Sequence, residues 1–111
     1  MKQLIVEGHI VALDKDGYLA DLNDWSRQVA ESLAVEHDIV LTADHWEILE
    51  LLRAFYAEFQ LSPATRPLVK YTALKLGKDK GNSLHLNHLF NGTPAKLAAK
   101  LAGLPKPTNC L

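Results

Sequence analysis

One thiol stands apart from every other group in this 111-residue chain that could make and break a covalent bond. Cys110 is the only cysteine, carried at the end of a tail reading Gly103-Leu104-Pro105-Lys106-Pro107-Thr108-Asn109-Cys110-Leu111. Buried cysteines behave as small, inert hydrophobes, but a terminus punctuated by Gly and Pro is a poor place to bury one. The two prolines hold the segment extended and prevent it from continuing a helix. Seven steps beyond Gly103, the thiol would reach roughly 20–25 Å from its anchor at ~3.1–3.5 Å per residue. A lone sulfur nucleophile on a semi-stiff arm suits a group handed from one protein to another. The alternative is an incidental terminal residue.

Nothing nearby completes a catalytic site around it. No histidine lies within 20 residues of Cys110 in the sequence, so no local general base is evident. The chain-end carboxylate disfavours the thiolate and Lys106 favours it, while the preceding helix turns its negative end toward the arm. Reactivity is therefore expected to be completed in a partner's pocket. The free protein should react with iodoacetamide at about the rate of an unstructured cysteine peptide.

The five histidines suggest a metal, with His85 and His88 at i, i+3 and His37 and His45 flanking residues 38–44. No second pair and no cysteine ligand has zinc-site spacing, so neither metal nor cofactor is expected. Asp14-Lys15-Asp16-Gly17 could open a calcium loop, but the twelfth position is Trp25 where an EF-hand needs Glu. It reads as a turn. Gly81-Asn82-Ser83 and Gly92-Thr93 do not follow strands or open a helix with Lys-Ser/Thr, as phosphate loops do.

The elements that must position the tail read as mainly α (α+β). A compact orthogonal bundle of about five helices is expected, with a small N-terminal β-hairpin and a flexible C-terminal arm. Residues 1–102 form the single helical domain and 103–111 the mobile arm. Leu4-Ile5-Val6 and His9-Ile10-Val11-Ala12-Leu13 flank Glu7-Gly8 as a hairpin. Asn23 or Asp24 caps a helix from Trp25 to about Glu36, and Thr42 caps the longest, about Ala43 to Phe59. On that helix Trp46, Leu49, Leu52, Phe55, Tyr56 and Phe59 form an apolar stripe that reads as core. Thr65 caps a third helix with Pro67 in its first turn, ending at Gly77. A short helix from Leu84 to Phe90 follows. Thr93 caps the last, with Pro94 as its first residue, Leu97, Ala98 and Leu101 buried, and Gly103 as terminator.

A composition of 48% apolar and 23% charged residues is that of a globular domain. No apolar run approaches the ~20 residues that span a bilayer, so no membrane association is expected. One cysteine allows no internal disulfide, in keeping with a reducing cytoplasm. The net charge of -1 hides segregation: residues 1–60 hold four Lys/Arg against twelve Asp/Glu, and residues 61–111 hold eight against Asp79 alone. Either the basic half steers the arm toward an acidic surface or a nucleic-acid complex, or the halves neutralise each other in the fold. Two helices between Ser62 and Phe90, with Arg66, Lys70, Lys75, Lys78 and Lys80, also offer a helix-turn-helix reading. Its loop, Gly77 to Ser83, exceeds the usual 3–4-residue turn, and DNA is the lesser expectation.

Pro94-Ala95-Lys96, Lys100-Leu101-Ala102-Gly103-Leu104-Pro105-Lys106-Pro107 and Cys110 together resemble the C-terminus of the DsrC/TusE family of sulfur-relay proteins. His45-Trp46-Glu47, Phe55-Tyr56, Phe59, Ser62-Pro63, Arg66, Gly81-Asn82-Ser83 and Leu89-Phe90 share the likeness, which runs from the Glu7-Gly8 turn to the last residue. The Gly-Leu-Pro-Lys-Pro-x-x-Cys end is its specific part. The resemblance implies a small cytoplasmic sulfurtransferase whose penultimate cysteine carries sulfur as a persulfide. In the single-cysteine branch, a TusBCD-like complex donates the sulfur and an MnmA-like tRNA thiolase receives it for 2-thiouridine at the wobble position. Cys110 is then the acceptor, and Arg66, Lys70, Lys96, Lys100 and Lys106 are candidates for docking or for stabilising persulfide charge. Members working with dissimilatory sulfite reductase have a second arm cysteine where this chain has Ala99, which favours the single-cysteine branch. A DsrC-like trafficking or regulatory paralogue is the other family reading. Asn91-Gly92-Thr93 replaces a common Pro-Lys-Gly, and Leu84, His85 and Asn87 replace common aromatics, which leaves the partner surface of residues 84–93 open.

Overall fold

The computed structural model describes residues 2–107. It opens with an antiparallel hairpin, β1 Lys2–Val6 and β2 His9–Leu13, in register from Lys2↔Leu13 to Val6↔His9. Glu7 and Gly8 connect the strands with φ of 49° and 82°, the mirror-image turn whose twist matches the strands. Alternation then buries Leu4, Val6, Val11 and Leu13 and turns Ile5 and Ile10 outward. The Asp14 turn forms as expected: Asp14 Oδ1 accepts from the Asp16 and Tyr18 N–H groups at 2.9 and 3.0 Å.

Five helices follow: α1 Arg27–Glu36, α2 Ala43–Phe59, α3 Thr65–Leu76, α4 Ser83–Leu89 and α5 Pro94–Leu101. Three details correct the sequence expectations. Leu22–Asp24 form a separate 3-10 turn, and Ser26 rather than Asn23 or Asp24 caps α1, accepting from the Val29 N–H at 3.2 Å. Three capping residue types compete within four positions, and capping at Ser26 leaves Trp25 extended, outside the helix. Ala64 stands before α3, so Thr65, Arg66 and Pro67 are its first three residues. Pro67 is tolerated there because its missing N–H would have had no intrahelical partner. On α2 the buried line is His45, Ile48, Leu49 and Leu52. Phe59 is exposed; Phe55 packs against it and Tyr71, with ring centroids at 4.6 and 4.9 Å, in a satellite aromatic group.

Thr42 caps α2 through an unusual capping box. His45 Nδ1 accepts from the Thr42 backbone N–H at 3.1 Å, so Nε2 carries the ring proton and donates to the Leu89 carbonyl at 2.9 Å. Both ring nitrogens are thereby used inside the core, with Phe90 edge-on to the ring at 5.5 Å. His45 is a structural residue, tying α2 to the end of α4.

Helix α5 is the hub, packed against each of the other four. Pro94, Ala95, Leu97, Ala98, Ala99 and Leu101 are buried, leaving Lys96 and Lys100 as its only residues facing outward. The small side chains at 95, 98 and 99 let neighbouring helices approach closely.

Candidate functional site

The chain leaves α5 through a root whose carbonyls from Ala98 to Ala102, and again at Pro105, each accept a hydrogen bond. Gly103, at φ 74°, closes the helix by donating to Lys100, and Leu104 donates to Ala99. This pair of bonds is the left-handed cap that glycine permits. The Leu101 carbonyl accepts from Trp25 Nε1 at 2.9 Å and the Ala102 carbonyl from Arg53 Nη1 at 2.7 Å. The Arg53 guanidinium lies 3.9 Å from the centre of the Trp25 ring, so each clamp residue orients the other. All the carbonyls normally orphaned at a helix end are satisfied.

Beyond the helix, the Pro105 carbonyl accepts from Ser62 Oγ at 2.6 Å, Lys106 Nζ lies 3.6 Å from Asp16 Oδ2, and Leu104 and Pro107 are buried. Residues 103–107, read from the sequence as the start of a mobile arm, therefore lie against the body. Cys110 is outside the described residues.

Beside this exit lies an open cleft of about 290 Å³, lined by Asp16, Tyr18, His37, Asn91, Thr93, Lys96, Leu97, Lys100 and Lys106. Lys96 and Lys100 stand one turn apart, where like charges destabilise a helix by about 0.2–0.5 kcal/mol. Lys100 extends over the Tyr18 ring at 5.1 Å and against Gly17, where a Cβ would lie 3.2 Å from Nζ. Burial holds the Lys100 ammonium below the usual lysine range, and the Lys2 charge adds to this against Asp14, Asp16 and Glu36. Burial likewise lowers the His37 imidazole, helped by the charge of Lys100. Among the described residues the one acid lining the cleft is Asp16, already beside Lys106. The cleft is short of negative charge.

Three of the five basic residues singled out in the sequence, Lys96, Lys100 and Lys106, are brought together here. Arg66 and Lys70 are exposed on α3 and do not line it; Thr65, beside Arg66, borders a neighbouring hollow of about 280 Å³. Trp25, Arg53, Ser62, Asp16 and His37 were not anticipated. Contacts such as Trp25 to Leu101 join positions 76 residues apart, beyond the reach of local pattern. The acidic and basic halves meet in two ion pairs among the described residues, Lys80–Glu47 and Lys106–Asp16, so neutralisation across the fold is partial. The helix-turn-helix reading fares poorly. Helix α4 has seven residues, none of them Lys or Arg, and its Leu86 and Leu89 belong to the core.

Among the described residues, no group of three or more His, Cys, Asp or Glu side chains could hold a metal. No helix there is long and apolar enough to cross a membrane.

Comparison with known proteins gives a consistent picture. The family model described as "DsrC like protein" matches residues 5–111. The chain is 48% identical over 108 residues to a protein of Salmonella choleraesuis named Sulfurtransferase TusE, covering 97% of this chain and 99% of that one. It is 52% identical over 108 residues to a Sulfurtransferase TusE homolog of Haemophilus influenzae, with the same coverage. The NMR structure of Allochromatium vinosum DsrC superposes with a TM-score of 0.90 at 47% identity, covering 99% of this chain and 98% of that one.

Proposed function

The chain belongs to the DsrC-like family, and from that premise we propose that it is a sulfurtransferase, a carrier in a sulfur relay whose cargo sits on Cys110. The Cys110 thiolate attacks the terminal sulfur of a donor persulfide. A bond forms between Cys110 Sγ and that sulfur, the donor's S–S bond breaks, and the donor cysteine leaves as a thiolate. Delivery repeats the step with the acceptor cysteine as nucleophile and Cys110 as leaving group. Electrons balance within each exchange, so no oxidant or reductant is consumed.

The observation that carries this reading is the lone thiol in the Gly-Leu-Pro-Lys-Pro-x-x-Cys end. The body supports it with a rigid launch point, because the residues up to Pro107 are held by Trp25, Arg53, Ser62 and Asp16. Three steps beyond Pro107, Cys110 lies within roughly 10 Å of it, so the protein presents the sulfur close to its own surface and a partner must come to meet it. A TusBCD-like complex is the donor in this reading. An MnmA-like thiolase is the acceptor, with tRNA reached indirectly for wobble 2-thiolation in the cytoplasm. Ala99 stands at the position of the second arm cysteine in the two-cysteine relatives and supplies no second thiol, which favours this reading over the paralogue that works through both thiols. The other basic residues, Arg66 and Lys70 on α3 and Lys106 at the exit, serve partner docking.

The test is loading. The protein is incubated with a cysteine desulfurase, cysteine and the candidate relay proteins, and then weighed intact. A gain of about 32 Da that maps to Cys110 and is absent from Cys110→Ser is expected for one added sulfur. Loaded relay proteins beside an unmodified Cys110 would overturn the proposal.

A further inference from the structure

The geometry points to the cleft beside the chain's exit as a dock for the Cys110 persulfide anion, which would rest against Lys96 and Lys100 while the carrier is loaded. This rests on the relay reading for the identity of the cargo, and it adds a resting place that depends on the load.

Helix α5 shows the reason. A hub helix buried on every other side has one outward window, and that window holds two lysines a turn apart. Among the described residues no acid forms an ion pair with either of them. The charged groups around this window, among the described residues, are Lys2 on β1, Asp14 and Asp16 on the following turn, Glu36, His37 and Asp38 at the end of α1, and Lys106. Asp16 is engaged with Lys106 at 3.6 Å. Burial lowers the titration of Lys100 and His37, and neighbouring positive charge, Lys2 for the one and Lys100 for the other, adds to it. An anion entering the cleft offsets that positive charge.

The chain itself supplies that anion. Lys106 lines the cleft, so the chain leaves the body at its rim. Only Thr108 and Asn109 separate Pro107 from Cys110, a span of roughly 10 Å that reaches a cleft of about 290 Å³. An ordinary cysteine thiol, with a pKa of about 8.5, is mostly neutral at pH 7. A hydropersulfide is more acidic than its parent thiol and is an anion there. The empty arm is thus weakly attracted and the loaded arm strongly attracted. The terminal sulfur is shielded from stray electrophiles until a partner's surface displaces it.

The test loads Cys110 chemically, independent of any donor enzyme. A thionitrobenzoate mixed disulfide at Cys110 is displaced by sulfide. The sulfide sulfur bonds to Cys110 Sγ, thionitrobenzoate leaves as a thiolate, and intact mass verifies the product. Alkylation of the persulfide by iodoacetamide is then timed at neutral pH. The Lys96→Gln/Lys100→Gln protein should react about tenfold faster than the wild type, as loss of two partly desolvated charge contacts implies. The difference should vanish in about 1 M salt, where the Debye length is about 3 Å. The Lys75→Gln/Lys78→Gln protein, altered at two exposed lysines outside the cleft, should match the wild type, and the unloaded thiols of all three should react alike. Equal persulfide rates in the wild type and Lys96→Gln/Lys100→Gln, or an equal acceleration in Lys75→Gln/Lys78→Gln, would overturn the dock. Because loading here needs no relay protein, failure of the dock and failure of the relay are read separately.

Discussion

Replacing Gly103 by alanine attacks the root of the arm at its tightest point. The residue has φ 74°, and an added Cβ would lie 2.2 Å from Trp25 Cδ1 and 2.5 Å from Cγ. The left-handed conformation alone costs an L-residue about 1–2 kcal/mol. The collision cannot be relieved without shifting the indole, which breaks its bond to the Leu101 carbonyl, worth about 1 kcal/mol. It also lifts the ring from the Arg53 guanidinium, worth about 0.5–1 kcal/mol at a partly exposed site. These sum to about 3 kcal/mol, or a fall in Tm of about 12 °C for a domain of this size. Gly92→Ala is the internal control, since Gly92 has φ 85° but nothing within 4 Å of the added Cβ. It incurs only the backbone cost, about 1–2 kcal/mol. Urea unfolding followed by far-ultraviolet circular dichroism measures both. If the two variants are destabilised equally, within about 0.5 kcal/mol, the close packing of Trp25 over the root is wrong.

Further expectations follow from the same contacts. Arg53→Met leaves the Ala102 carbonyl without its donor and should cost about 2 kcal/mol in urea unfolding; Arg53→Lys should not restore it, because an ammonium lacks the planar face that lies on Trp25. Phe90→Ala empties a fully buried site against His45 and should cost about 3–5 kcal/mol, whereas a loss under about 1 kcal/mol would remove Phe90 from the core. The His37 pKa is lowered in the fold by burial and by Lys100, so the fold favours its neutral form. Its contribution to stability is complete above the ordinary histidine value of 6.5 and is lost as the pH falls below that toward the folded value. Urea midpoints at about pH 7.5 and 5.5 should therefore fall further for the wild type than for His37→Gln; an identical or reversed difference contradicts the assignment.

Local chemistry made much of the fold legible. Glu7-Gly8 between β-branched runs specified the hairpin, and Thr42, Pro94 and Gly103 marked helix ends through their own backbone preferences. The errors arose where several capping residues competed, as Asn23, Asp24 and Ser26 did for one cap, or where tertiary packing chose among apolar positions. Phe59 lies on the predicted stripe of α2, yet the helix outruns the core there and the ring stays exposed. The site was half legible. Lys96, Lys100 and Lys106 stood out as basic residues near the tail, but their spacing could not show that α5 is buried on every other side. Trp25, Arg53 and Ser62 bond to carbonyls 76, 49 and 43 residues away, and a backbone carbonyl leaves no trace in side-chain pattern. His45 was weighed only among the histidines that suggest a metal, because a capping box usually carries Glu or Gln at that position.

The most direct measurement is the 2-thiouridine content of wobble positions in cells whose only copy of this protein is Cys110→Ser, compared with wild type and with cells lacking the protein. The relay account predicts that the Cys110→Ser protein accumulates normally, folded, while 2-thiouridine falls to the level of the deletion. Thiolation at the wild-type level with only the serine variant present would contradict it, because no other thiol in this chain could have carried the sulfur.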